Sequence, residues 1–291
     1  MKRILITGCS GQVGRWVAKL APADAELICP TRKEFDLSNP DVIAATLKTI
    51  APDQILSCAA YTNVDGAESD QQTAENVNAV SPGIMAEYAA SANIPMVHVS
   101  TDFVFDGRST TPYTSSAATN PLSVYGASKL RGDLAVLEHS AWVVRSSWVY
   151  SEFSNNFVLT MIKLAASRDE LGVVSDQTGS PCYARNLAAM LLRLIEVKPE
   201  QKLFHFADSG SISRQEFAIA IIEEAATAGL LPNTIPVNAA KTSDFPAPAE
   251  RPAYSTLDSS EAEKALGISA TPWRQALHEM IYSCRQLSSN S

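Results

Sequence analysis

Arg3-Ile-Leu-Ile-Thr-Gly8-Cys-Ser-Gly11-Gln-Val-Gly14-Arg-Trp-Val-Ala-Lys-Leu20 passes from an apolar strand-like run, through a glycine turn, into a helix-like segment. That context gives the three glycines a mechanism. Gly8 permits the tight turn, Gly11 lets backbone approach a pyrophosphate, and Gly14 allows the helix to pack closely on the strand. The positive end of the helix then faces the phosphates. An ordinary strand-to-helix turn is the bland alternative.

Outward from this turn, short apolar runs alternate with helix-like segments. Strands are expected over 3–7, 26–29, 54–59, 96–100 and 142–145, and helices over 14–20, 40–50, 69–92 and about 123–137. Strand–helix alternation predicts an α/β fold, a doubly wound parallel sheet of Rossmann type with helices on both faces. The second half reads as a smaller, mixed α/β lobe. Residues 186–197 form a leucine-rich helix, Ser213-Arg-Gln-Glu216 is a capping box opening a helix to Gly229, and Asp258-Ser-Ser-Glu261 opens another ending near Gly267. Residues 232–252, with five prolines, read as a long loop with short extended pieces, and Ser288–Ser291 as a frayed tail. The expected division is a dinucleotide-binding domain over 1–150, with a returning segment near 180–207, and a mainly substrate-binding lobe over 151–291.

Composition narrows the partners. The chain has 291 residues, 46% hydrophobic and 19% charged, with a net charge of −8 and no basic stripe. Nucleic acid and anionic membrane surfaces are therefore poor partners. No signal-peptide pattern and no apolar run of about 18 residues is seen, so a cytoplasmic location is expected. The five cysteines and four histidines share no metal-ligand spacing. The cysteines read as independent small thiols, the histidines carry no assigned role, and no metal is expected.

Three further stretches carry chemistry. Tyr125-Gly-Ala-Ser-Lys129 sets a phenol and an ammonium one helical turn apart, on one face. A lysine there is expected to draw the phenol pKa down, making Tyr125 a proton donor to a carbonyl oxygen. Ser100-Thr101-Asp102 ends an apolar run where ligands bind in open α/β sheets. Thr101 could donate to the same carbonyl, although such residues also cap strand ends routinely. After the second strand stands Cys29-Pro-Thr-Arg32-Lys33, without the carboxylate an NAD-selective site uses. Arg32 could hold a 2′-phosphate, favouring NADPH with NADH tolerated, or could be a solvated surface cation.

Together these stretches resemble the dTDP-4-dehydrorhamnose reductase family of extended short-chain dehydrogenases, where the G-x-x-G-x-x-G spacing is usual. The resemblance spans nearly the whole chain. It rests on Gly8–Gly14, Ala59-Ala-Tyr-Thr-Asn-Val-Asp65, Val99-Ser-Thr-Asp-Phe-Val-Phe-Asp-Gly107, Asn120-Pro-Leu-Ser-Val-Tyr-Gly-Ala-Ser-Lys129, Arg145-Ser-Ser-Trp-Val-Tyr150, Asn155-Asn-Phe157, Asp176-Gln-Thr-Gly-Ser-Pro181 and Arg251-Pro252. It implies a catalytic triad of Thr101, Tyr125 and Lys129. It also implies cofactor contacts from Gly11, Gln12, Val13, Asp36, Leu37, Ala60, Tyr61 and Thr62, and sugar contacts from Thr101, Asp102 and Trp148.

The implied activity is NADPH-dependent reduction of the C4 ketone of a nucleotide-linked 6-deoxyhexose, by a monomer or homodimer. Two alternatives stay open: another nucleotide-linked 4-keto sugar, or a non-catalytic NADP-binding subunit like the regulatory subunit of methionine adenosyltransferase. Two departures stand out. Thr114-Ser-Ser-Ala-Ala-Thr119 replaces a stretch that is often acidic, and Arg15-Trp16 follows the glycine turn where relatives often carry Glu.

Overall fold

The computed structural model describes residues 1–289. The first five strands are β1 (Arg3–Thr7), β2 (Glu26–Ile28), β3 (Gln54–Ser57), β4 (Met96–Thr101) and β5 (Trp142–Ser146). Shorter strands follow: β6 (Val149–Tyr150), β7 (Leu171–Val174), β8 (Thr178–Gly179), β9 (Cys182–Tyr183), β10 (Leu203–His205), β11 (Ile212–Ser213) and β12 (Val237–Ala240). Six of them form one sheet in the order β10-β5-β4-β3-β1-β2, every neighbouring pair parallel.

The helices are α1 (Gln12–Leu20), α2 (Ile43–Ile50), α3 (Val64–Ala67), α4 (Gln71–Glu75), α5 (Ser81–Ser91), α6 (Val124–Glu138), α7 (Phe157–Ala165), α8 (Ala184–Val197), α9 (Arg214–Thr227), α10 (Ser260–Leu266) and α11 (Trp273–Ser289). The strand period of two sorts the core onto both sheet faces. Ile4 and Ile6 join Val17, Leu187 and Leu191 on one side. Leu5 joins Ile43, Leu47 and Met85 on the other. This is the doubly wound α/β architecture expected from the sequence. A third core, with Val158, Phe217, Ile221 and Leu277, lies among α7, α9 and α11.

Several expectations need correction. The helix expected over 69–92 is α4, a π turn at Asn76–Val80, and α5. Pro82 has no N–H for the carbonyl of residue 78, and the turn before it widens. The loop over 232–252 does carry a short extended piece, β12, which pairs in parallel with β7. Helices α7 and α11 are absent from the sequence reading; α7 is apolar at most positions, and only Thr160 and Lys163 interrupt it. The capping box at Ser213 forms as expected, and α10 ends at Gly267 in the left-handed conformation. Asn290 and Ser291, the end of the expected frayed tail, lie outside the described residues.

The cysteine expectation is wrong for one pair. Cys9 and Cys29 are joined, their Cα atoms 5.6 Å apart. Neighbouring β1 and β2 end side by side, so residues far apart in sequence meet, which spacing alone cannot show. Cys58 and Cys182 are free thiols.

Candidate active site

The chain runs from β1 outward to β2 and then back to β3 on the other side of β1, so winding reverses between β1 and β3. Ligands of such sheets bind at that reversal, outside the carboxyl ends of the strands. A cleft of about 930 Å³ opens there. Its wall carries every residue singled out from the sequence: Gly8, Gly11, Gln12, Val13 and Gly14; Arg32, Asp36 and Leu37; Ala60, Tyr61 and Thr62; Thr101 and Asp102; Tyr125 and Lys129; and Trp148.

The glycine turn is shaped for an anion. Gly8 has φ +72°, and the Gly11 amide donates to its carbonyl at 2.9 Å. A Cβ on Gly14 would stand 2.3 Å from the Gly8 oxygen, so only glycine lets α1 start here. Gly11 caps α1 with no side-chain hydrogen bond, and the first turn has no acidic residue. The opening amides therefore face the cleft with a net need for acceptors, which a pyrophosphate supplies. Gln12 anchors the turn, donating to the Val149 carbonyl at 3.2 Å and accepting from Ser151 Oγ at 2.9 Å.

At the other end of this half, Arg32 lies 3.7 Å from Asp36. Hydrogen bonds from the Ser38 hydroxyl and amide hold the Asp36 carboxyl below its ordinary range. Past β3, the Tyr61 amide donates to Asn78 Oδ1 at 2.8 Å, and Asn78 Nδ2 donates to the Tyr61 carbonyl and to Ser128 Oγ, both at 3.1 Å. The π turn thus ties the loop under the cleft to α6.

Two of the catalytic candidates, Tyr125 and Lys129, come from α6, and Thr101 comes from the last position of β4. On the side turned to α6, apolar positions give way to polar ones towards the strand ends: Ser57 beside His98, and Ser100 beside Arg145. On α6, Tyr125, Lys129 and Asp133 follow at intervals of four and are all buried. Lys129 Nζ donates to His98 Nε2 at 2.9 Å and to the Val99 carbonyl at 2.8 Å. An ammonium can only donate, so Nε2 is the bare nitrogen and the ring proton sits on Nδ1, 3.0 Å from Ser57 Oγ. Burial, reinforced by the Lys129 charge, holds His98 well below its ordinary pKa. Deeper still, Arg145 Nε donates to Asp133 Oδ2 at 2.9 Å.

The expected depression of the Tyr125 pKa is not found. Burial pushes the phenol up to about 12, opposed by the Thr101 hydroxyl and aided by the charges of Asp102 and Asp133. The lysine spends its hydrogen bonds on His98 and Val99, and burial brings it down to about 8. Thr101 Oγ1 donates to Asp102 Oδ1 at 3.1 Å, while Asp102 Oδ2 is buried without a hydrogen-bond partner. Burial raises the Asp102 carboxyl to about 6, against the hydroxyls of Ser255 and Thr101.

Sequence reasoning missed His98 and Arg214, and it noted Arg251 only as part of the resemblance, with no role. A polar residue inside an otherwise apolar strand was the available signal for His98. Arg251 and Arg214 reach the cleft wall from distant segments, Arg251 bonded to Asp65 at 2.8 Å. Trp148, a sugar contact implied by the resemblance, lines the cleft, with the Arg214 guanidinium carbon 3.7 Å from its ring centroid. Among the described residues no group of three His, Cys, Asp or Glu side chains is placed to hold a metal ion, and no helix is long and apolar enough to cross a membrane.

With this geometry in view, the chain belongs to the family described as the RmlD substrate binding domain, whose model matches residues 1–286. A dTDP-4-dehydrorhamnose reductase of Aggregatibacter actinomycetemcomitans is 39% identical over 286 residues, 95% of this chain and 97% of that protein. The crystal structure of a dTDP-4-dehydrorhamnose reductase from Clostridium acetobutylicum superimposes with a TM-score of 0.89 at 35% identity, covering 96% of this chain and 98% of the other. The Bacillus anthracis dTDP-4-dehydrorhamnose reductase in complex with NADP gives a TM-score of 0.89 at 33% identity, covering 97% and 99%.

Proposed function

We propose that the chain reduces the C4 ketone of a dTDP-4-dehydro-6-deoxyhexose with NADPH, taking dTDP-4-dehydro-L-rhamnose to dTDP-L-rhamnose, and accepts NADH less well. The observation that carries this reading is the convergence of Thr101, Tyr125 and Lys129 on the cleft that begins at the glycine turn. The family and its named reductases support the substrate class. In this reading residues 1–150, with the returning segment near 180–207, hold the dinucleotide, and 151–291 mainly hold the sugar nucleotide. The enzyme acts in the cytoplasm as a monomer or homodimer, without nucleic acid, membrane or metal.

NADPH, when held in the cleft, would supply the hydride to the ketone carbon. The glycine turn and the α1 amides take the pyrophosphate, Arg32 the 2′-phosphate, and Asp36 with Leu37 the adenine side. Tyr125, fully protonated at neutral pH because its pKa is about 12, holds its proton at the ketone oxygen and releases it as that oxygen gains charge. Thr101 turns its hydroxyl from Asp102 to the same oxygen, giving a second donor. Lys129, with a pKa of about 8, is mostly an ammonium at pH 7 and stabilises the phenolate left behind. His98 keeps that ammonium on station by accepting one of its protons in a hydrogen bond.

The test is consumption of NADPH, followed by its absorbance, with dTDP-4-dehydro-6-deoxy sugars, and identification of the product by NMR. No consumption with any of them, while NADPH still binds, would return the chain to the non-catalytic alternative.

A further inference from the structure

We propose that Arg214 is the cation that grips the diphosphate of the nucleotide-sugar substrate, and that Trp148 is the shelf on which it is held. This rests on the reductase reading and adds the residue that recognises the charged part of the substrate.

Trp148 departs from ordinary backbone geometry. Its φ is +45°, in the left-handed region that side chains other than glycine rarely occupy. Such conformations persist where surrounding structure over-determines them, and they cluster at ligand sites. The indole is fixed from two sides. A Cβ on Gly179 would stand 2.6 Å from the ring, so that position must be bare for the indole to lie there. Over the ring, the Arg214 guanidinium carbon sits 3.7 Å from the centroid, with the Phe157 ring 5.0 Å away. A guanidinium stacked flat on an aromatic keeps its N–H bonds in its own plane, pointing outward from the stack.

Those donors lack a carboxylate. Among the described residues none lies within ion-pair distance of Arg214, whereas two other arginines on the cleft wall are engaged, Arg251 with Asp65 at 2.8 Å and Arg32 with Asp36 at 3.7 Å. The Asp102 charge is felt at Arg214 without closing an ion pair, and burial lowers the guanidinium to about 10. Arg214 also opens α9 directly after the capped Ser213, and its amide bonds to the Gln177 carbonyl at 3.0 Å, so its Cα is held at both ends.

A positively charged, planar, pre-oriented fork beside Thr101, Asp102 and Tyr125 matches a bidentate oxyanion better than it matches a neutral hexose ring. Stacking alone would be a reason to keep an arginine at the surface. It is a poor reason to bring an unpaired charge into a cleft, where its lost hydration must be replaced. A substrate diphosphate replaces it.

The probes are dTDP and thymidine, titrated by calorimetry into the full chain saturated with NADP⁺. Wild type should bind dTDP well above thymidine. Arg214→Met should lose that margin, weakening dTDP on the order of 10–100-fold, with thymidine and NADPH affinities unchanged. Arg214→Lys should fall between, keeping the charge and losing the fork. Equal dTDP affinity in wild type and Arg214→Met would overturn the proposal. So would equal losses for dTDP, thymidine and NADPH, which would make Arg214 a purely structural residue. If wild type itself ignored dTDP, the reductase reading would fail first and take this inference with it.

Discussion

His98→Leu should move the alkaline limb of kcat/KM for NADPH to lower pH. In the structure His98 Nε2 accepts from the Lys129 ammonium at 2.9 Å in a fully buried setting, and the lysine pKa is about 8. A hydrogen bond to a charged group contributes about 1.5–3 kcal/mol. At about 1.4 kcal/mol per pKa unit, its loss brings Lys129 down by roughly one to two units, towards pH 6–7. The lysine acts as a cation, so kcat/KM falls as pH rises through its pKa, and a lower pKa moves that fall leftward. Profiles of kcat/KM report groups in the free enzyme, the state the geometry describes. At pH 7.5 the variant should therefore be roughly 3- to 30-fold slower than wild type, from the fraction of lysine still charged. Near pH 5.5 the gap should nearly close. Asp133, whose charge raises the Lys129 pKa, is present in both proteins, so the difference isolates His98. His98→Gln restores an acceptor and should move the limb back. A limb that stays put in His98→Leu, or moves upward, refutes the assignment of His98 as the lysine's acceptor.

Three further substitutions have defined outcomes. Tyr125→Phe should lower kcat by roughly 10²–10⁴-fold with NADPH affinity nearly intact; retention of more than about a tenth of the wild-type rate would mean the proton comes from elsewhere. Arg32→Ala should weaken NADPH about tenfold or more relative to NADH, read as the ratio of the two Kd values. Because Arg32 is exposed and only 3.7 Å from Asp36, equal losses for both cofactors would mark it as a surface ion pair. Gly14→Ala places a Cβ 2.3 Å from the Gly8 oxygen and should cost about 1–3 kcal/mol of local distortion, seen as weaker binding of both cofactors. Unchanged affinity would mean the turn yields freely.

Much of the site was readable because its residues speak through local pattern. The glycine turn works through backbone conformation within seven positions, and Tyr125 with Lys129 through one helical turn, so each is written in a short window. The strands were visible as short unbroken apolar runs because both of their faces are buried, Ile4 and Ile6 on one side and Leu5 on the other. What stayed hidden depends on contacts between distant segments. His98 becomes meaningful only once Ser57 is its neighbour across the sheet and Lys129 its partner on α6. The Cys9–Cys29 link needs β1 and β2 to end together. The Tyr125 expectation took proximity in sequence to mean that the lysine charge would act on the phenol; in the fold burial raises the phenol, and the group that opposes it is the Thr101 hydroxyl.

The parallel sheet also sets an order of assembly. β10 closes it from outside, with the Val143 amide bonded to the Lys202 carbonyl and the Phe206 amide to the Arg145 carbonyl, yet residues 147–202 are synthesised between the two strands. A nascent chain that has emerged only to residue 150 therefore presents β5 as an open edge, with Trp142 and Val144 still waiting for Phe204 and the leucines of α8. Such an edge is a template for pairing with another chain. A fragment cut after residue 150 would carry the glycine turn and the Thr101–Tyr125–Lys129 group and should still aggregate. During synthesis the sheet can close only after residue 205 emerges, and Arg214 follows just behind it.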